Sequence, residues 1–147
     1  MGPLGDSVRG AAAPLAPGAP PASGGAVTPL SVGVDIVEID RVAGVIARWG
    51  ERFLRRVYTE TELAYCRGRI PELAARFAAK EAITKALGTG IRGLAWREME
   101  IVADPLGKPL VRLYARASAR AAAIGLSHFA VSLSHSRDFA VAMVVAQ

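Results

Sequence analysis

The segment from Pro71 to Gly88 constrains the fold of this chain more than any other. It reads as a single alanine-rich helix suited to burial, yet it carries charge. Pro71 suits the first helical position and Gly88 the position just past the end. Within it, Phe77-Ala-Ala-Lys-Glu-Ala-Ile-Thr-Lys85 sets Lys80, Glu81 and Lys85 inside about two helical turns, among residues that are nearly all small or apolar. Glu81 and Lys85 are four apart, so they share a face about one turn (~5.4 Å) from each other. The chain has three lysines, and two of them are here. A carboxylate and two ammonium groups on such a helix point to a metal or a phosphate. The plainer alternative is solvated lysines pairing locally with Glu81.

The surrounding pattern is that of one α+β domain. Leu30 to Ile36 is β-branched and loosely alternating, a strand expected to end near Asp35. Ile39, Val42, Ile46 and Trp49 follow at helical spacing, with Gly50 as the stop. Phe53 to Val57 reads as a short apolar link. Thr59 and Glu62 form a capping box that opens a short helix through about Arg67. Beyond the long helix lies a glycine-rich loop, Gly88-Thr89-Gly90 and Gly93. Met99–Ala103 and Leu110–Tyr114 are expected strands joined by the turn Asp104-Pro-Leu-Gly-Lys-Pro109. Ala115 to Ile124 is an expected helix capped by Gly125. Phe129–Ser134 and Phe139–Val145 form an expected hairpin around Ser136-Arg-Asp138. Strand, helices, strands, helix, strands in that order predict a mainly antiparallel sheet packed on helices.

Residues 1–29 stand apart. They are Pro, Gly, Ala and Ser with almost no charge, too poor in large apolar groups to offset chain entropy, so a disordered extension is expected there and a folded domain over 30–147. The tract lacks the cationic start and unbroken apolar core of a signal peptide. No stretch approaches the ~20 apolar residues that span a bilayer, so no membrane partner is expected. One cysteine, Cys66, excludes an intrachain disulfide and suits a reducing compartment; the cytoplasm is expected, with Cys66 a half-buried thiol.

A formal net charge of +5 favours an anionic partner: nucleic acid, an acidic protein or a phosphorylated small molecule. Arg41, Arg48, Arg52, Arg55 and Arg56 make the first helix and its exit basic. Such a run is commonly a solvated face, but Arg41 sits near a helix start, where the dipole opposes a cation. Few aromatics interleave with these arginines, which argues against a nucleic-acid surface. Asp35 interrupts an apolar strand. It reads as a helix N-cap or salt-bridged turn residue, or, paired with Glu81, as half of a Mg²⁺ site completed by water and phosphate. His135, between serines in Ser132-Leu-Ser-His-Ser136, is either a hydrogen-bonded structural residue or a phosphate contact and proton relay.

Three motifs, GVDIVEIDRV, FAAKEAITKALGTG and SLSHS, in this order and at these separations, resemble the holo-acyl-carrier-protein synthases, the small branch of the 4'-phosphopantetheinyl transferases. The resemblance covers Ser31 to Gln147, and DPLGKP is also family-like; the N-terminal tract departs from the pattern. It implies the 4'-phosphopantetheinyl transferase fold and transfer of the phosphopantetheine arm of coenzyme A to a serine of apo acyl carrier protein, in fatty-acid or polyketide synthesis. By that match Asp35 and Glu81 would hold Mg²⁺ with the pyrophosphate, and Lys85 and Lys80 would neutralise phosphates. Gly88, Thr89, Gly90 and His135 would lie near the nucleotide, and Arg41, Arg48 and Arg52 would dock an acidic carrier helix. The base stays open between Glu81, a metal-bound water and His135. The family implies a homotrimer with active sites between subunits.

Overall fold

The computed structural model describes residues 28–147; the expected extension at 1–29 falls, but for its last two residues, outside them. Strand β1 (Ser31–Glu38) leads into helices α1 (Ile39–Trp49), α2 (Glu51–Val57), α3 (Glu60–Cys66) and α4 (Ile70–Leu87). A 3-10 turn at Trp96–Glu98 precedes the hairpin β2 (Met99–Ala103) and β3 (Pro109–Leu113), then helix α5 (Ala115–Ala123) and the hairpin β4 (Phe129–His135) and β5 (Phe139–Ala146). The α+β class holds, with every strand pair antiparallel. The strands divide between a three-stranded sheet ordered β1-β5-β4 and the separate β2–β3 ribbon.

Helix α4 is the axis of the core. Its alanines Ala78, Ala79, Ala82 and Ala86 are buried against Ala142, Val144 and Ala146 of β5, with Met99 and Ile101 of β2 closing the other side. Small side chains on both partners let helix and sheet approach closely. The closest point is Gly33: a Cβ there would lie 1.9 Å from the carbonyl oxygen of Ala82. No other residue fits that position.

Three expectations need correction. β1 continues to Glu38, so Asp35 lies within the strand and not at its end; pairing with β5 runs unbroken from Ser31↔Ala146 to Glu38↔Phe139. Residues 53–57 are helical and not an apolar link. Phe53, Leu54 and Val57 share one side there, while Glu51 and Arg55 pair at 3.1 Å on the exposed side, which gives α2 the amphipathic spacing of a helix. The capping box is present: Glu62 N–H donates to Thr59 Oγ1 and Thr59 N–H to Glu62 Oε2. The Asp104 turn also forms, its Oδ1 accepting the amides of Leu106 and Lys108, each at 2.8 Å. Cys66 is fully buried and not half-buried, and burial pushes its thiol up to about 11.

Candidate active site

Alternation along β1 turns Ser31, Gly33, Asp35 and Val37 toward α4. Ser31 Oγ donates to the Ala86 carbonyl at 2.6 Å, and Gly33 nests on Ala82 one helical turn earlier. Two residues further along the strand, Asp35 therefore arrives beside Glu81 and Lys85. Lys85 Nζ donates to Asp35 Oδ1 at 2.9 Å and to the Val34 carbonyl at 2.7 Å. The lysine thus bridges helix to strand and does not pair with Glu81 along its own helix. Glu81 makes no ion pair among the described residues. Burial, and then the Asp35 charge, push its carboxyl above the usual range, with Lys85 pulling the other way.

Asp35 and Glu81 open into a cavity of about 580 Å³ that Arg41, Glu38, Phe53 and Phe77 also line. A second cavity of about 500 Å³ shares Phe53, Phe77 and Val45 with it and adds Arg52, Arg56, Trp49 and Trp96. Together they make one groove that starts at two carboxylates and ends between arginines over an aromatic floor; Phe77 and Trp96 stack with centroids 5.1 Å apart. Arg41 and Arg52 therefore belong to the groove. Arg48 does not line it, its guanidinium lying 5.1 Å above the ring of Trp49.

Lys80 requires correction as a phosphate ligand. Its side chain is 0 % exposed and its Nζ pairs with Glu62 Oε2 at 2.8 Å, while also donating to the Trp96 and Met99 carbonyls. Burial lowers its pKa and the Glu62 charge opposes that effect. It points to the far side of α4 from Glu81's cleft, into the interior shared by α3 and β2.

The Gly88-Thr89-Gly90 loop closes the C-terminus of α4. Gly88 adopts φ 72° and its N–H donates to the Lys85 carbonyl, that of Thr89 to the Thr84 carbonyl. Arg120 Nε donates to the Leu87 carbonyl at 3.0 Å and completes the cap. With two amides spent on the cap, the loop offers a ligand close backbone approach and little donor capacity.

His135 is not with the carboxylates. It ends β4, and Asp35 lies on β1, the opposite edge of the sheet, two strand spacings (~9.5 Å) across β5 and two residues out of register with it. His135 lines a separate cavity of about 450 Å³ with Tyr65, Glu72, Arg76, Lys108, Ser132 and Ser134. Arg76 is 2 % exposed, packs under Tyr65 at 4.2 Å and reaches Glu72 at 3.3 Å through Nη1; its Nε has no partner among the described residues.

A model of the 4'-phosphopantetheinyl transferase superfamily matches residues 31–144. The chain belongs to that superfamily. It is 52 % identical over 123 residues to the holo-[acyl-carrier-protein] synthase of Herpetosiphon aurantiacus, covering 79 % of this chain and 97 % of that protein. Against the synthase of Dehalococcoides mccartyi (strain 195) identity is 50 % over 118 residues, covering 80 % and 98 %. The fold matches the Helicobacter pylori synthase solved with coenzyme A at a TM-score of 0.73 and 32 % identity, over 79 % of this chain and 99 % of that one. The Neisseria meningitidis synthase matches at 0.72 and 39 %, over 80 % and 97 %. The chain is therefore an enzyme, a phosphopantetheinyl transferase of the holo-acyl-carrier-protein synthase type.

In this transferase, Arg76 and Lys108 have no site role by sequence, yet they line the His135 cavity, where Glu72 pairs with Arg76 and Lys108 stays a free cation among the described residues. Arg76 had a visible signal: it is a charge on the buried face of α4, one turn before Lys80. Lys108 had none, because a turn lysine is ordinarily solvent-facing. Among the described residues no helix is long and apolar enough to cross a membrane.

Proposed function

We propose that this transferase moves the 4'-phosphopantetheine arm of coenzyme A to a serine hydroxyl of apo acyl carrier protein, with Mg²⁺ held by Asp35 and Glu81. The observation that carries this reading is the meeting of two carboxylates and Lys85 at the head of an arginine-flanked groove. Two carboxylates with room for water and phosphate suit Mg²⁺, which supplies charge neutralisation on a pyrophosphate when bound. In the transfer, the serine oxygen forms a bond to the phosphorus that bears pantetheine. The bridging P–O bond breaks, and 3',5'-ADP leaves with the bonding electrons. Glu81, at the head of the groove and in no ion pair among the described residues, is placed to take the serine proton directly or through a water. Lys85 faces the charge that accumulates on the departing phosphate. Phosphoryl transfer asks for this kind of positioning and charge more than for covalent catalysis.

The outer face of the β1-β5-β4 sheet supports assembly with further copies, which we take to be a homotrimer. Val34, Ile36 and Met143 are 56, 63 and 50 % exposed there, beside Val32, Val145 and Phe139, an apolar patch of the kind that marks an interface. Copies arranged head to tail around an axis set one subunit's β1 edge beside its neighbour's β4 edge. Asp35, Glu81 and Lys85 of one chain then share a substrate with Arg76, Lys108 and His135 of the next, whose cations and serine hydroxyls suit nucleotide phosphates. Gly88 allows close passage of the ligand past the end of α4. Arg41 and Arg52 flank the groove where an acidic carrier helix would lie, with Arg48 at its margin. The reaction belongs in the cytoplasm, where the lone Cys66 thiol stays reduced.

Incubation of an apo carrier protein with coenzyme A, Mg²⁺ and this chain tests the reading. Intact-mass measurement should show one phosphopantetheine added per carrier, abolished by chelation. No gain with fatty-acid and polyketide carriers alike removes the assignment.

A further inference from the structure

Helix α4 must present Glu81 and Lys85 to β1 at one rotation, yet beside Leu73, Ile83 and Leu87 half of the side chains it buries are alanine methyls. Ala74, Ala75, Ala78, Ala79, Ala82 and Ala86 are all buried on it. Alanine surfaces interlock shallowly, and each residue of slip turns the helix by about 100°. The Gly33 notch restrains one side only.

On the opposite side sits the one fully buried ion pair among the described residues, Glu62 with Lys80. Lys80 has all its donors engaged, by Glu62, by the Trp96 carbonyl in the 3-10 turn and by the Met99 carbonyl at the start of β2. Glu62 is held in turn: Oε1 accepts the Ile101 amide at 2.9 Å and Oε2 the Thr59 amide at 2.9 Å. The network extends through Thr59 Oγ1 to Glu100 at 2.7 Å, and Glu100 accepts the Tyr114 hydroxyl at 2.7 Å. Lys80 is the covalent neighbour of Glu81. A buried pair of this kind contributes little net stability over apolar groups of like volume, because desolvation offsets its attraction; what it does specify is geometry.

We infer that Glu62 and Lys80 are positioning residues for the transfer: their buried ion pair, anchored on α3 and β2, sets the rotation of α4 that aims Glu81 and Lys85 at Asp35. The inference rests on the proposed metal and pyrophosphate site. It assigns catalytic consequence to two side chains that reach neither substrate nor groove.

The test is the double variant Glu62→Gln with Lys80→Met, which removes both charges at similar volume, alongside Glu62→Asp, which keeps both charges and draws the carboxylate back by one methylene. Three quantities are read: thermal midpoint, kcat with KM for carrier protein, and Mn²⁺ affinity by electron paramagnetic resonance. The double variant is expected to stay folded with a lowered midpoint, because the Trp96 and Met99 carbonyls lose their donor, and to keep its KM, because the arginine groove stays in place. Its kcat should fall by about 10²-fold, the cost of misplacing reacting groups by roughly 1 Å, and Mn²⁺ should bind at least tenfold more weakly. Glu62→Asp should shift kcat and Mn²⁺ affinity in the same direction by less, and it decides the matter should the double variant not fold, since it leaves neither charge buried alone. A folded variant with wild-type kcat and wild-type Mn²⁺ affinity overturns the inference. The wild type run in parallel separates the two claims: absence of transfer by the wild type counts against the proposed function, while the Mn²⁺ comparison still reads the aim of α4.

Discussion

Lys85 and Asp35, fifty residues apart in sequence, meet across the joint between α4 and β1 with Nζ 2.9 Å from Oδ1. The pair is half in solvent on the lysine side, so it contributes at most about 1 kcal/mol to stability. Its value in the proposed site is chemical: Asp35 would serve the metal and Lys85 the phosphate. Asp35→Asn and Lys85→Ala should each leave the folded fraction unchanged and lower transfer by about 10²- to 10³-fold, as removal of a preorganised charge does. Circular dichroism and single-turnover mass spectrometry check the two halves.

Gly33→Ala probes the approach that brings Asp35 to its place. The new methyl would sit 1.9 Å from the backbone oxygen of Ala82, which cannot turn aside as a side chain would. Overpacking costs about 1–3 kcal/mol, and a backbone neighbour puts this change at the upper end. Thermal denaturation should show a midpoint lower by roughly 10 °C. Transfer should fall as well, since β1 can relieve the clash only by moving away from Glu81.

Glu81 makes stability depend on pH in a direction opposite to most carboxylates. Its raised pKa means that the folded chain holds this proton more tightly than the unfolded chain does. In metal-free protein its contribution is therefore present at acid pH and lost as pH rises through its folded pKa. Glu81→Gln removes that loss: its thermal midpoint should exceed that of the wild type at neutral pH and equal it below the carboxylate range. Added Mg²⁺ should raise the wild-type midpoint and leave that of the variant unmoved.

Much of this was legible before any coordinates. Pro71 and Gly88 bounded α4 within a residue, the Thr59–Glu62 box opened α3, and Asp104 marked the hairpin turn, because each is a local rule written in local residues. Asp35 and Glu81 stood out by type, as carboxylates in apolar runs. Lys80 misled for the same reason: a lysine in an alanine helix reads as a ligand until its partner is seen, and Glu62 lies on another helix. The helix at 51–57 was hidden by its length of seven residues, too few for the period to declare itself beside Gly50. His135 could not be assigned from the sequence, since its distance from Asp35 depends on strand order and not on spacing.

Lys108→Ala reads the His135 cavity without disturbing the core, for the side chain is exposed on the β2–β3 turn. Loss of one charge-assisted phosphate contact, about 1.5–3 kcal/mol, should raise KM for coenzyme A by tenfold or more. KM for the carrier should stay fixed. Steady-state kinetics with each substrate varied in turn make the distinction.

Met143→Glu places a charge at the middle of the outer sheet face, on the central strand. Sedimentation should find the wild type as a trimer and the variant as a monomer with an unchanged fold. Transfer should fall with assembly, because the two halves of the site then lie on separate molecules.

The most direct measurement is a crystal structure of the chain with coenzyme A and Mg²⁺. A single ion bound by Asp35 and Glu81 is expected, touching the pyrophosphate beside Lys85, with the nucleotide phosphates against Arg76, Lys108 and His135 of the adjacent subunit. An ion held elsewhere, or a pyrophosphate bound away from Asp35 and Glu81, would contradict the account.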